Sequence, residues 1–106
     1  MNGAEDENLS FHSRRYFAST AGVALPLRLV AEIEPEAIKN RNTYFIAFFD
    51  EAGRLQGFDK MVYGERVSTH RYEYAGDGGL RRAVLLPEGE DEERELLFDE
   101  SGRQLP

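Results

Sequence analysis

Cysteine is absent from the 106-residue chain, which excludes disulfides, thiolate zinc sites and cysteine nucleophiles. Histidine occurs twice, too sparsely for a histidine-rich metal centre, and redox chemistry would need a bound cofactor. Neither a metal nor a cofactor is expected. No apolar run approaches the roughly 20 residues that cross a bilayer. The opening residues, Met1 to Asn8, are acidic instead of basic-then-apolar, unlike an export signal. The expectation is a cytoplasmic protein with no membrane partner. Lysine is nearly missing as well: Lys39 and Lys60 are the only two among 13 Lys and Arg residues, the bias of a GC-rich bacterial genome.

Basic charge is scarce overall, with a net charge of -7. The acidity is concentrated at the ends. Residues 86–106 hold eight acidic and two basic groups, and residues 1–7 hold three acidic groups and no basic one. Phosphate contacts need clustered cations, so no nucleic-acid partner is expected. The chain is nevertheless 41% hydrophobic and contains seven Phe and five Tyr, too apolar for a disordered polymer. A chain of this length forms one domain that buries about two thirds of its unfolded surface. Residues 1–8 read as a flexible acidic tail and residues 9–106 as a single domain.

What is abundant is a repeated turn. An aromatic residue, three further positions and a Gly recur as Phe49 to Gly53, Tyr74 to Gly78 and Phe98 to Gly102. An aromatic strand end, a short acidic turn and a Gly that can take positive φ make a β-hairpin. Around these turns, strands are expected over Phe11–Ser19, Thr43–Phe49, Leu55–Val62, Arg66–Tyr74, Leu80–Leu86 and Glu93–Phe98. Val23, Leu25, Leu27, Leu29, Ala31 and Ile33 alternate with their neighbours, predicting an eleven-residue strand with one face on the core. Pro26 cannot donate a ladder hydrogen bond, which places it at an edge or a bulge. Pro35 and Glu36 at one end, with Lys39, Arg41 and Asn42 at the other, predict one short helix near residues 35–41. Thr43–Phe49 is apolar on both sides of its alternation and should be a central strand. The fold class is mainly β (α+β), an antiparallel meander of about seven strands with one short helix.

The hairpin motifs carry a resemblance. From Phe48 to Leu105 the chain resembles the YD, or RHS-type, repeats of bacterial secreted and toxin proteins, in which Tyr-Asp precedes Gly-Arg-Leu at a hairpin turn. Phe49-Asp50 and Phe98-Asp99 match with Phe for Tyr, Gly53-Arg54-Leu55 matches fully, and Gly78-Gly79-Leu80 and Gly102-Arg103-Gln104 each miss one position. The resemblance implies the local hairpin alone, since those proteins wind long shells from many copies. The front half, with Arg15-Tyr16-Phe17 and Arg41 to Phe45, is similar to small bacterial domains of unassigned function.

Four groups are candidates for function. His70 shares a strand face with Ser68, Tyr72 and Tyr74 and could act as a general base, although no nucleophile motif accompanies it; a half-exposed strand histidine is the plainer reading, and His12 carries less signal still. Tyr44, Tyr63, Tyr72 and Tyr74, with Phe45, Phe48, Phe49 and Phe58, could line an exposed aromatic face, or could simply fill the core. Glu88, Glu90, Asp91, Glu92, Glu93 and Glu95 could steer a basic partner, or could protect an edge hairpin from aggregation. Arg14, Arg15, Arg66, Arg71, Arg81 and Arg82 could gather into an anion patch, or could pair within the chain.

No catalytic constellation emerges. The sequence therefore predicts a non-enzymatic protein-binding module, of accessory, adaptor or immunity type, using Tyr44, Tyr63, Tyr72, Tyr74, Glu90, Asp91, Glu92, Glu93 and Glu95 toward another protein. A small apolar ligand-binding domain, its curved sheet closing over Tyr44, Tyr72 and Tyr74, is the alternative. A hydrolase using His70 is the third reading. A homodimer through the edge strand carrying Val23 to Ile33 is open.

Overall fold

A computed structural model describes residues 11–106; the acidic tail expected over residues 1–8 lies outside the described residues. Seven strands form one sheet: β1 (Ser13–Ala21), β2 (Arg28–Ile33), β3 (Thr43–Phe49), β4 (Leu55–Val62), β5 (Glu65–Tyr74), β6 (Leu80–Leu86) and β7 (Arg94–Leu97). Every neighbouring pair is antiparallel, in the order β2-β1-β3-β4-β5-β6-β7. From β3 onward the chain is a meander of successive hairpins. At the front, β1 lies between β2 and β3, so the chain must step over β1, and a 3-10 helix, Pro35–Asn40, makes that step while packing against β1. Pro35 sits at the start of this helix and Lys39 in its last turn, as the sequence predicts.

The repeated motif produces a repeated geometry. In each turn the first residue donates its N–H to a carbonyl four residues on, and the Gly donates back to the first residue's carbonyl. The bonds are Asp50 to Arg54 and Gly53 to Asp50, Ala75 to Gly79 and Gly78 to Ala75, and Asp99 to Arg103 and Gly102 to Asp99. The glycines have φ of 87°, 90° and 87°, a region open to Gly at little cost. Just after the turn, the second strand of the β3–β4, β4–β5 and β5–β6 hairpins carries one extra residue, while the β6–β7 pairing is regular. The pairing passes over Gln56 in β4, Val67 in β5 and Arg81 in β6. Such bulges bend the bulged strand and increase its twist, and three in succession curl the sheet.

Residues opposite each other in the ladder share a face. The pairs Phe17–Phe45, Ala47–Phe58, Phe58–His70, Tyr72–Ala83 and Ala83–Leu96 therefore fall on one side, the concave side. Phe17, Phe45, Ala47, Phe58, Tyr72 and Ala83 form the buried core there. Truncating a ring such as Phe58 would cost about 3–5 kcal/mol. The convex side carries Tyr16 against Tyr44, and Phe11 against Phe48. β3 is thus apolar on both faces because it sits inside the sheet with cover on both.

One expected strand is corrected. The alternation from Val23 to Ile33 yields a strand only over Arg28–Ile33; residues 22–27 form a loop. Pro26 lacks the N–H that a ladder needs, and it precedes the edge strand instead of lying in it. The alternating leucines still turn inward: Leu25, Leu27 and Leu29 pack against the core. The loop reaches far across the sheet. Its Leu27 N–H donates to Tyr72 Oη at 3.3 Å, although β1, β3 and β4 separate β2 from β5 in the sheet. This contact is possible because the sheet curls and the loop lies over its concave face.

Candidate functional site

His70 sits half-buried on that face, against the core. Its ring stacks on Phe58 at 4.4 Å between centroids, and its Nδ1 is 2.6 Å from Tyr72 Oη. Tyr72 Oη accepts from Leu27 N–H, and we assign its own proton to His70 Nδ1, the acceptor 2.6 Å away, which leaves the His70 proton on Nε2. Burial, with Arg71 beside it, lowers the imidazole pKa from 6.5 to about 4. The ring is neutral near pH 7 and its free lone pair is occupied, an arrangement suited to holding the loop and ill suited to general-base work. His12 is exposed, and its backbone N–H bonds Phe49 carbonyl at 2.8 Å.

The four tyrosines do not form one face. Tyr44 lies on the convex side beside Tyr16. Tyr63 is at the tip of the β4–β5 hairpin, 76% exposed. Tyr72 is 3% exposed, and desolvation raises its pKa well above the usual phenol value. Tyr74 is half-buried on the concave side, donating to Leu55 carbonyl at 2.5 Å, and burial raises its pKa to about 12. Alternation placed Tyr72 and Tyr74 together, whereas Tyr44 belongs to the opposite set once the β3–β4–β5 register is known. Phe45, Phe48 and Phe58 are buried and Phe49 half-buried.

The acidic run lies in the exposed loop before β7 and on β7 itself. Half of it is matched within the chain: Glu88 with Lys60 at 2.9 Å, Glu90 with Arg94 at 2.7 Å, and Glu95 with Arg82. Asp91, Glu92 and Glu93 have no ion-pair partner among the described residues.

The arginines singled out in the sequence disperse. Arg14 covers Phe11 and Phe48 on the convex side, and Arg81 and Arg82 pair with Asp77, Glu73 and Glu95. Arg71 holds the buried Asp59 at 2.9 Å, with Arg66 at 3.8 Å from the same carboxylate. Asp59, 6% exposed, was not apparent in the sequence, and its role is to satisfy Arg71, whose guanidinium also donates to Phe58 and His70 carbonyls. Of this set Arg15 reaches the concave side.

There it joins two arginines the sequence did not flag. Between the residue 26–30 segment and the turns of the β3–β4 and β5–β6 hairpins lies an open groove of about 510 Å³. Phe17, Leu27, Leu29, Phe49, Leu55 and Tyr74 line it, and Arg15, Arg28 and Arg54 border it. Arg15 is gripped by Glu32 through two bonds, 3.0 and 2.5 Å, and lies over Phe17 and Phe49 at 5.5 and 5.2 Å. Arg54 is gripped by Asp50 at 2.9 Å and lies over Tyr74 at 5.4 Å. The pairing holds the Glu32 and Asp50 carboxyls below the usual range, through the Arg15 side chain for Glu32 and chiefly the Arg54 backbone N–H for Asp50. Both guanidiniums thus extend the aromatic walls with cation–π contacts. The volume falls within the range of small-molecule sites. Among the described residues no three His, Asp or Glu side chains converge on a metal position, and no helix is long and apolar enough to cross a membrane.

The groove's apolar members were legible as core candidates, but not as a site, because the loop over the sheet and the adjacency of the two hairpin turns arise from long-range pairing. Comparison with known proteins adds a family and no activity. No curated protein and no solved structure matches the chain. From residue 10 to residue 106 it matches a model described as a family of unknown function, DUF6156, and the chain belongs to that family.

Proposed function

We propose that the protein is a small non-enzymatic binding module that takes a ligand with an apolar body into the concave groove. The observation that carries this reading is the groove itself: six buried or half-buried apolar and aromatic side chains facing one open space at the mouth of a curled sheet, with the loop that crosses the sheet as one wall. A folded domain rarely leaves such surface concave and unfilled without use. His70 is spent on holding the loop, and none of the described residues beside the groove offers an activated nucleophile, which favours binding over catalysis.

The test is fluorescence titration with N-phenyl-1-naphthylamine, a neutral apolar probe. The expected result is a blue-shifted, saturable signal at one probe per chain, weakened at least fivefold in a Leu29→Asp variant whose melting confirms that it folds. Absence of saturable binding, or equal binding by the variant, would remove the reading.

A second reading, docking of a basic protein, is favoured by Asp91, Glu92 and Glu93, exposed and unpaired among the described residues beside the short edge strand β7. Such a surface accelerates association and responds to salt. Reversing the charge at these three positions should slow association with a partner isolated at low salt by about tenfold, measured by surface plasmon resonance. An unchanged association rate would discard it. A two-fold contact between β2 edges would appear as a dimer in analytical ultracentrifugation.

A further inference from the structure

We infer that the groove selects a ligand whose apolar body carries a single anionic head, and that Arg28 is the residue that receives the head. This inference rests on the reading of the groove as a binding site and adds the charge class of its ligand.

Three guanidiniums border the groove, but they are not equivalent. Arg15 is committed to Glu32 and to the rings of Phe17 and Phe49, and Arg54 is committed to Asp50 and to the ring of Tyr74. Arg28 is exposed at the start of β2, and among the described residues no carboxylate pairs with it. Three cations against two carboxylates leave the border with one positive charge in excess. A head bearing one negative charge restores neutrality, while a neutral head leaves the charge of Arg28 uncompensated.

The geometry of guanidinium suits a carboxylate or sulfonate, since its paired N–H donors match two oxygens of such a group. The same preference would not arise from the protein as a whole. A net charge of -7 repels anions in general, so selection of an anion over its neutral counterpart requires a local source. Deeper in the groove the Tyr74 hydroxyl does not compete, because its proton is engaged by Leu55 carbonyl.

Two probes with the same aromatic body separate the claims. 8-Anilino-1-naphthalenesulfonate is N-phenyl-1-naphthylamine with a sulfonate added. With the full chain at low salt, the sulfonate is expected to bind at least tenfold tighter than the neutral probe. In Arg28→Gln that advantage should fall below threefold, with the affinity for the neutral probe unchanged. Adding salt should likewise reduce the sulfonate affinity alone.

If the neutral probe binds at one site but the sulfonate gains nothing, the anionic-head inference is overturned while the groove reading stands. It is overturned in the same way if Arg28→Gln weakens both probes equally, because Arg28 would then act on the shape of the groove and not on charge. If neither probe binds, both the groove reading and the inference fail.

Discussion

His70 stacks on Phe58, accepts from Tyr72 and is neutral in the fold, and these facts fix a pH response. The unfolded imidazole titrates at its ordinary 6.5, while the folded one titrates at about 4, chiefly because burial disfavours its charge. Between those values the unfolded chain binds the extra proton, so stability is present above pH 6.5 and falls as the pH drops toward 4. A fully buried ring displaced this far would contribute about 3 kcal/mol, and solvent access to a half-buried one reduces the figure to about 1–2 kcal/mol. Denaturant unfolding across this window should show the decline in the native chain and its loss in His70→Gln, which retains an acceptor for Tyr72. The turn carboxylates Asp50, Asp77 and Asp99 are held below their ordinary value by hydrogen bonds and release stability only at lower pH. A decline that persists in His70→Gln would contradict the assignment. The sequence showed His70 beside Tyr72 on one face, but its burial depends on Phe58 and the distant Leu27.

At the scale of elements, hairpins were the legible unit because all their determinants are local. Phe49 to Gly53, Tyr74 to Gly78 and Phe98 to Gly102 each set their turn within five residues, and all three adopt one hydrogen-bonding pattern. The 3-10 helix was legible for the same reason, through Pro35 and Lys39. The bulges at Gln56, Val67 and Arg81 were not, since a bulge is a relation between two strands and leaves no fixed residue type behind. Gly57 illustrates the difference. A Cβ there would stand 2.3 Å from His70 carbonyl oxygen, so close approach of β5 requires the glycine, yet within its own strand it looks like any weak point. The segment from Val23 to Leu27 misled for a related reason: alternate leucines seek the core in a loop as readily as in a strand. Pro26 was the dissenting signal, since a residue without an N–H cannot sit inside a ladder.

At the scale of the whole molecule, the groove exists because an open sheet is curled and one loop is fastened across it. β2 and β7 remain edges, so the strands alone do not close the concave side. Leu27 N–H to Tyr72 Oη, and Tyr72 Oη to His70 Nδ1, form the polar link that fastens the loop before β2 to β5. The first of these bonds could not be foreseen from spacing, as 45 residues separate Leu27 from Tyr72. Removing the hydroxyl alone tests whether that link sets the groove. Tyr72→Phe keeps the ring in the core and should cost about 1–3 kcal/mol, because the Leu27 N–H and His70 Nδ1 lose their partner. The loss should be uneven. Hydrogen exchange at the Leu27 amide should rise well beyond the change at the central β3 and β4 amides, whose ladders are intact. Affinity for N-phenyl-1-naphthylamine should fall severalfold together with it, because Pro26, Leu27 and Leu29 form one wall of the groove. Uniform acceleration of exchange with unchanged probe binding would mean that apolar packing of Leu25, Leu27 and Leu29 holds the loop by itself and that the hydroxyl link is incidental to the site.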